Sequence, residues 1–358
     1  MACNRRNPQH PVRVAGFVLA VTLWILAGIA IVVGLVTIWS VDAVRDAAGD
    51  RQRVDDQLAM LGTRDALLYL AATRNMTIAG LPIQPLAEAE VATRRLEEFG
   101  ASRREPIGGE LRLDGQPYAG MAGSTFALQD EAGLFSLILP QGIGIDRFLA
   151  TQGIAREQVP NLRDPLLDFM DLDDLRQLHG AESREYKQQS LPPPPNRRLL
   201  LPLELGRIIG WRTLPAPQRE ALAELSTTFY AGAINLNTVP AALLSGWLSG
   251  CPQACEALEA RREQQPFNTS TEVETLLGVR LAGDSAMDYR FAPSEMLRLT
   301  LWGQSGAAWR IHVRLTALAD KSAPWIILAA YPVQRPPLHA SSQPTGSTLF
   351  ADTPPDRP

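Results

Sequence analysis

The feature that most constrains this 358-residue chain is a long apolar run near its N-terminus. No charged residue interrupts the stretch from Val14 to Val41. A secretory signal has an apolar stretch of only about 7–15 residues followed by a small-residue cleavage site, and this run is longer and ends without such a site. A membrane-spanning helix needs roughly 20 apolar residues. The run therefore predicts a transmembrane helix from Phe17 to Val41.

The charges before the run predict its orientation. Arg5, Arg6 and Arg13 precede the apolar residues. By the positive-inside rule the N-terminus stays in the cytoplasm, and the chain from Asp42 onward lies across the membrane. An uncleaved single-pass anchor accounts for all of these facts without any processing.

Composition limits the class of protein and the state of its cysteines. The chain is 46% hydrophobic and 20% charged with a formal net charge of −4, so it has no basic excess that would favour nucleic acid. Cys251 and Cys255 follow the anchor and face a compartment in which a disulfide can form, whereas Cys3 precedes it. Because Pro252 can start a helix between the two distal cysteines, a disulfide and two free thiols both fit the spacing.

Helical patterns occupy three parts of the chain. Apolar residues recur at three- and four-residue spacings over residues 42–75, which predicts that the anchor helix continues to Asn75. Pro85–Phe99 shows a second helical pattern, and residues 145–290 consist of helical patterns broken by Pro and Gly.

Strand patterns form two separate blocks. In the first, Asp114-Gly115 lies between alternating residues and predicts a hairpin, and two short strands flank Glu131–Gly133. The second block, residues 296–333, contains three strands, two of them joined at Ser305-Gly306. If the blocks pair, they form one α/β domain with a helical domain inserted. Two independent domains in series fit the periodicity equally well.

Three segments carry a family resemblance, in the order QDEAGLFSLILP, LLDFMDLDDLRQLHGAESREY and GAINLNTVPAALLSGWL. With the N-terminal run, they make most of residues 12–333 resemble the K-type minor pseudopilin of the type II secretion system, the GspK family (general secretion pathway protein K). The chain departs from the family pattern at Phe169, where Trp is usual. The residues that match are Asp130, Glu131 and Gly133; Asp168, Asp171, Asp173 and Asp174; Gly180, Ala181, Glu182 and Tyr186; and Ile234, Asn235, Asn237, Thr238 and Pro240.

The resemblance implies an α/β pilin-like fold. Such a fold has a long N-terminal transmembrane helix and an antiparallel sheet, here with an inserted all-α domain that is SAM-like or helix-hairpin-helix-like. The Pro-, Ser-, Thr- and Gly-rich C-terminus is expected to be disordered. The expected divisions are a prepilin leader, 1–16; the transmembrane part of the helix, 17–41; a first pilin-like part, 42–144; the inserted helical domain, 145–290; the C-terminal strands, 291–334; and the tail, 335–358.

The resemblance also implies processing of the N-terminus. Prepilin leaders are short and basic, end in Gly and are cut before an aromatic residue or Met. Gly16-Phe17 matches that pattern. A prepilin peptidase acting at the cytoplasmic face would leave the apolar helix attached and would methylate the new terminus at Phe17.

The fifth position of the processed chain predicts where the subunit sits. Major pilins carry Glu there, and its carboxylate pairs with the terminal amine of the neighbour added before it. A first subunit has no such neighbour, so a Glu would be an unpaired charge in an apolar bundle. This chain has Val21, which is expected at a tip and equally in a plain anchor.

The implied function is assembly. The chain is expected to be a minor pseudopilin at the pseudopilus tip, initiating assembly with I- and J-type minor pseudopilins and supporting protein export across the outer membrane. It would sit in the bacterial inner membrane with most of the chain in the periplasm. A large insertion fits at a tip, because no subunit is stacked above it.

The acidic segment is a candidate calcium site, as the resemblance implies. Calcium takes about 6–8 oxygen ligands, largely carboxylates and carbonyls. The spacing does not match an EF-hand, because Arg176 stands where the loop glycine belongs when counting starts at Asp171. A solvated acidic helix end with a capping Asp fits equally well. The candidate ligands are Asp168, Asp171, Asp173, Asp174 and Glu182.

Two further functions compete with assembly. The segment Ile234–Val279 resembles the helix-hairpin-helix units of DNA-uptake proteins, so the alternative is a membrane-anchored DNA receptor. That segment lacks the usual glycine pattern, and Arg261-Arg262 is its only basic pair near the hairpin, so no nucleic acid is expected as a partner. The histidines are scattered without zinc spacing and no catalytic constellation is found, so no enzyme is expected.

Overall fold

The computed structural model describes residues 17–84, 105–138, 144–316, 323–334, 345–346 and 348–350. Three predicted features lie outside these ranges. They are the leader with Gly16, the second helical pattern at Pro85–Phe99, and residues 335–344 of the predicted tail.

Helix α1 runs unbroken from Phe17 to Thr73, a length of 57 residues. In the part of the chain that the structure describes, it is the one helix long and apolar enough to cross a membrane. From Phe17 to Asp55 every residue is exposed, and the apolar side chains of the first part point in all directions. A helix that is apolar all round needs lipid or other helices around it. The predicted continuation of the anchor helix to about residue 75 is confirmed.

The chain from Asp56 onward forms a compact unit of its own. Its strands are β1 (Asp114–Ala119), β2 (Thr125–Asp130), β3 (Phe135–Ser136), β4 (Ser226–Thr227), β5 (Ile234–Asn235), β6 (Tyr289–Arg290), β7 (Met296–Trp302), β8 (Ala308–Leu315) and β9 (Trp325–Pro332). Five of them form an antiparallel sheet in the order β1-β2-β7-β8-β9. Because β2 pairs with β7, the two predicted blocks of strands belong to one sheet, and two domains in series are excluded.

The two faces of the sheet have different partners. Alternate residues of a strand point to opposite faces. In β7, Leu297, Leu299 and Leu301 share an apolar core with the C-terminal half of α1, including Leu67. Arg298 lies on the other face and meets the segment that enters between β2 and β7. Every residue of β7 is buried for this reason.

The inserted segment, residues 131–295, leaves the sheet after β2 and returns at β7. It has its own apolar core, which includes Phe148, Leu162 and Trp211. Its helices are α2 (Gly144–Thr151), α3 (Pro160–Met170), α4 (Ser183–Gln188), α5 (Ala216–Glu224), α6 (Ala241–Leu244), α7 (Gln253–Gln264) and α8 (Ser270–Leu277).

Two expectations about the insertion need correction. It is not all-α, because β3 pairs with β4 and β5 pairs with β6, each in a two-stranded parallel ladder. The predicted boundaries at residues 145 and 290 fall inside it. Phe135 already belongs to the core of the inserted segment, so the segment begins where β2 ends.

Turns were predicted with mixed success. The hairpin predicted at Asp114-Gly115 is wrong: Asp114 begins β1, and its side chain accepts a hydrogen bond from the Gln116 N–H at 3.2 Å. The chain reverses later, where the Gly120 N–H donates to the Ser124 carbonyl at 2.8 Å. The turn at Ser305-Gly306 is confirmed, with a φ of +88° at Gly306.

The prediction of a fully disordered C-terminal tail is also wrong for its described residues. Thr345 pairs with β1, and the Phe350 ring packs edge-on against Phe126 at 5.8 Å between centroids. Phe350 packs against the apolar core although the sequence around it is rich in Pro and Ser. The composition of the tail did not predict this contact.

Candidate metal centre and the junction between sheet and insertion

The acidic segment spans the end of α3 and the start of α4. Asp168 lies in the last turn of α3, Asp171 follows the helix, and Glu182 precedes α4. The loop between the helices passes close to α3 at Gly180, where an added Cβ would lie 1.9 Å from Asp168 Oδ2. Glycine is therefore required there for the loop to fold back onto Asp168.

Three carboxylates converge in this loop. One oxygen from each of Asp168, Asp171 and Glu182 lies within 4.8 Å of the others. Asp168 is fully buried and accepts from the Gln177 N–H at 3.2 Å, and Glu182 is only 4% exposed. Oδ1 of Asp171 is buried and accepts no hydrogen bond in the described chain, whereas the buried Glu182 carboxylate caps the start of α4, facing the Glu185 N–H. The cluster thus gathers three carboxylates of like charge in a largely buried loop.

The electrostatics of the cluster follow from burial and like charge. Burial, and then the charges of Asp168 and Asp171, raise the pKa of Glu182 to about 7. Burial also raises the pKa of Asp168 and of Asp171. A hard divalent cation would reverse these shifts, because it binds carboxylate oxygens in their ionised form.

The other two predicted ligands have different surroundings. Asp173 Oδ1 accepts from the Leu175 N–H at 2.8 Å, and the main-chain oxygen of Asp173 accepts from Asn196 Nδ2 at 3.1 Å. Asp174 Oδ1 lies 3.5 Å from the same amide. Both residues lie outside the group of three, so the structure brings together three of the five predicted carboxylates.

The first and third family segments meet at the end of β2. Asp130 is fully buried. Its Oδ1 accepts from Ser294 Oγ at 2.5 Å, and its Oδ2 accepts from Asn235 Nδ2 at 2.8 Å. Burial raises the pKa of the Asp130 carboxyl despite these hydrogen bonds. The side chain therefore links the two points at which the inserted segment leaves and rejoins the sheet.

Other family residues brace the same junction. Asn237 Nδ2 donates to the carbonyls of Phe267 at 2.9 Å and Phe291 at 3.0 Å. An added Cβ on Gly133 would lie 2.4 Å from the Thr238 carbonyl oxygen. These residues therefore have a structural role: the amide of Asn237 is hydrogen-bonded within the protein, and Gly133 allows close packing of the chain.

A second buried network joins the insertion to the sheet, and the sequence analysis missed it. Glu131 Oε1 lies 2.6 Å from His312 Nδ1, and His312 Nε2 lies 2.9 Å from the Tyr331 hydroxyl. The Phe229 ring stacks on the imidazole at 4.1 Å between centroids. Burial lowers the pKa of His312. Burial alone would raise the pKa of Glu131, but its hydrogen bond to His312 and nearby positive charge lower it overall.

Two arginines on the same face of the sheet share one carboxylate. Arg298 Nη2 lies 3.0 Å from Glu224 Oε1, and Arg310 is paired with Oε2 of the same residue. Glu224 ends α5 in the inserted segment. The sequence contained one indication of these arginines' position. In both β7 and β8 an arginine lies between two apolar residues, so it points to the opposite face of the sheet from them.

The remaining predicted residues are placed as follows. Phe17 begins α1 and Val21 lies in its first turns, both exposed. Cys251 and Cys255 are joined in a disulfide.

The arginines of the hairpin-like region are engaged within the chain. Arg261 donates to the Gln265 carbonyl at 2.7 Å, and Arg262 is buried with Nη1 donating to the Val239 carbonyl at 2.7 Å. Neither side chain stands free to meet phosphate.

Comparisons with known proteins gave likenesses in structure only. No family profile matches the chain, and no curated protein matches it. Among solved structures, it is similar to a chain in the crystal structure of the GspK–GspI–GspJ complex from the enterotoxigenic Escherichia coli type 2 secretion system. The two chains are 15% identical with a TM-score of 0.46, over 82% of this chain and 98% of that chain. At that identity, functional conclusions have to come from the residues of this chain.

Proposed function

We propose that this protein is a minor pseudopilin at the tip of a type II secretion pseudopilus, anchored in the bacterial inner membrane with its sheet and insertion in the periplasm. The observation that carries the proposal is α1. It is described from Phe17, runs for 57 residues and continues into a unit built on an antiparallel sheet, and the sequence before it resembles a prepilin leader that ends in Gly16. A long apolar helix that continues into such a sheet unit is the arrangement of a pilin-like subunit.

The position at the tip is supported by two features. The inserted segment, residues 131–295, is larger than the sheet that carries it, and packed pilin helices leave little lateral room for such a mass. Val21 supplies no carboxylate to pair with the terminal amine of an earlier subunit. A first subunit needs none, because nothing precedes it.

The partners follow from the same helix. Its first part is apolar on all sides and fully exposed within this chain. We infer that it packs with the helices of I- and J-type minor pseudopilins, and that this packing starts the pseudopilus and so supports protein export.

The acidic cluster is proposed to hold calcium. Asp168, Asp171 and Glu182 provide carboxylate oxygens that are close together, buried and partly without hydrogen bonds. Calcium is coordinated by carboxylate, carbonyl and water oxygens in flexible geometry. A loop that supplies only three acidic side chains can therefore bind it if carbonyl groups and water complete the coordination. The cation would neutralise the cluster and hold the loop between α3 and α4 against α3.

The proposed function is tested by the N-terminus of the protein in native membranes. Intact mass and N-terminal sequencing of the full chain are expected to show a start at Phe17 with one added methyl group. Gly16→Leu should leave the leader attached, and the matched variant Gly28→Leu, within α1, should be processed normally. A native protein that starts at Met1 would overturn the proposal.

A further inference from the structure

The segment that follows α4 is stiff and is tied at both ends. Residues 192–195 are four consecutive prolines, and each proline ring fixes φ, so the run loses little conformational freedom on folding. Before the run, the Leu191 N–H donates to the Tyr186 carbonyl at 2.9 Å. After it, Arg197 Nη2 lies 2.9 Å from Glu204 Oε1. The residue between the prolines and Arg197 is Asn196, which is therefore held in one place.

The Asn196 side chain contacts the acidic loop. Its backbone has a φ of +46°, a left-handed conformation that Asn adopts more readily than most residues. In this conformation Nδ2 donates to the Asp173 carbonyl at 3.1 Å and lies 3.5 Å from Asp174 Oδ1. Both acceptors follow closely after Asp171, one of the three clustered carboxylates. Because residues 172–179 are exposed, packing does little to fix the path of the loop, and the contact with Asn196 restrains it.

The restraint acts against the repulsion between like charges. Asp171 is held with one oxygen within 4.8 Å of oxygens of Asp168 and Glu182. Burial, and then the charges of Asp173 and Asp168, raise the pKa of the Asp171 carboxyl. When no cation is bound, this repulsion favours movement of Asp171 away from the cluster. The hydrogen bond from Asn196 holds the residues that follow Asp171 and opposes that movement.

We propose that Asn196 is a positioning residue for the calcium site, where its carboxamide holds the loop in the shape that binds the cation without contacting the cation itself. This role rests on the proposed function, which places calcium among Asp168, Asp171 and Glu182. A cation that meets ligands already in place does not have to order the loop against their repulsion, so it binds more tightly. Replacing a residue that orients metal ligands typically weakens metal binding by about 10–100-fold.

Asn196→Gly tests this role without adding backbone strain, because glycine accepts a positive φ. The matched control is Ser190→Gly, since Ser190 also has a positive φ of +55°, is exposed and lies before the same proline run. Isothermal titration of the full chain in detergent should show calcium binding weakened by about 10–100-fold in Asn196→Gly and unchanged in Ser190→Gly. Equal calcium affinities in the two variants would overturn the proposal.

The shape of the loop without calcium provides a second measurement. Arg176 lies in the loop with its side chain 51% exposed, so trypsin can cut after it when the loop opens. With chelator present, this cleavage should be about tenfold faster or more in Asn196→Gly than in the unaltered chain or Ser190→Gly. Cleavage after Arg212, an exposed residue outside the loop, should keep its rate. An equal increase at both sites would show general loosening of the fold and would count against a positioning role.

Asn196→Asp distinguishes positioning from coordination. The variant keeps the size of the side chain and its tolerance of a left-handed backbone, but it replaces the donor with a negative oxygen beside Asp174. Weaker calcium binding is expected, whereas tighter binding would mean that residue 196 contacts the cation, which would overturn the positioning role. The unaltered chain separates the two proposals. If it binds no calcium, the proposed calcium site is wrong as well, whereas equal binding by the unaltered chain and Asn196→Gly removes only the role of Asn196.

Discussion

Two buried carboxylates in this protein have opposite environments. Glu131 is fully buried beside His312 and near Arg298, and its pKa is lowered. Glu182 is almost as buried, but its charged neighbours are Asp168 and Asp171, and its pKa is raised to about 7. The first group lies beside positive charge, whereas the second is surrounded mainly by like charge.

The difference separates a structural network from a binding site. A buried charge is costly unless it is paired, and removing one partner of a buried pair is more damaging than never having had the pair. The network at Glu131 is complete and joins the inserted segment to the sheet. The cluster at Glu182 gathers like charges that oppose one another's ionisation, and a cation among them would favour the ionised form of all three.

The largest effect is expected from breaking the complete network. Glu224→Ala leaves Arg298 and Arg310 buried without their shared carboxylate. The free energy of unfolding should fall by about 3–5 kcal/mol, as for other buried pairs that lose one partner. Thermal and denaturant unfolding of the full chain in detergent measures it. Glu220→Ala, an exposed position on the same helix, is the control and should change stability little. A loss no greater than that of the control would show that the arginines find other partners.

Calcium is expected to stabilise the protein through the cluster at Glu182. Adding calcium to about 100 times its dissociation constant should raise the free energy of unfolding by about 2.7 kcal/mol, and a chelator should remove the gain. Glu182→Gln should abolish the response while leaving the calcium-free protein as stable or more stable, because it removes one of three like charges. Asp174→Asn, outside the group of three, should keep most of the response. A melting temperature that ignores calcium in the unaltered protein would contradict the proposed site.

The sequence predicted elements that depend on local pattern and missed contacts that depend on pairing. The helix from Phe17 and the three C-terminal strands follow from apolar length and alternation, and both were found. His312 could not be connected to Glu131 from the sequence, because the contact exists only once β8 lies beside β7 and the insertion folds over them. The acidic residues were identified as a set, but which three converge depends on Gly180 and the path of the loop.

A smaller effect is expected from Gly180→Ala. The added Cβ would lie 1.9 Å from Asp168 Oδ2, so the carboxylate or the loop has to move. Overpacking of this kind costs about 1–3 kcal/mol of stability, and displacement of a ligand should weaken calcium binding at least tenfold. Isothermal titration of the full chain measures the affinity. Gly206→Ala is the control, because its nearest neighbour would lie 3.4 Å away on the flexible Arg219 side chain. Unchanged affinity in Gly180→Ala would place the cation away from Asp168.

The smallest effect is a pH dependence in which the two regions oppose each other. His312 has a lowered pKa, so its contribution is lost as the pH falls through about 6.5, where the unfolded chain takes up a proton and the folded chain does not. Glu182 has a raised pKa, so its contribution is present at low pH and is lost as the pH rises through about 7. In calcium-free buffer the two trends partly cancel between pH 7.5 and pH 5.

Glu182→Gln separates the two trends. With that carboxyl removed, the decline in stability from pH 7.5 to pH 5 should become steeper than in the unaltered protein, by about 1 kcal/mol or more over the range. Melting temperatures at pH 7.5, 6 and 5, with chelator present throughout, provide the measurement. Glu185→Gln is not a suitable control, because its Oε2 accepts the Glu182 N–H at 3.1 Å, so Asp174→Asn serves instead. If Glu182→Gln has the same pH profile as Asp174→Asn and the unaltered chain, Glu182 is already ionised at neutral pH. Its pKa would then not be raised, and the predicted difference in pKa between Glu182 and Glu131 would be wrong.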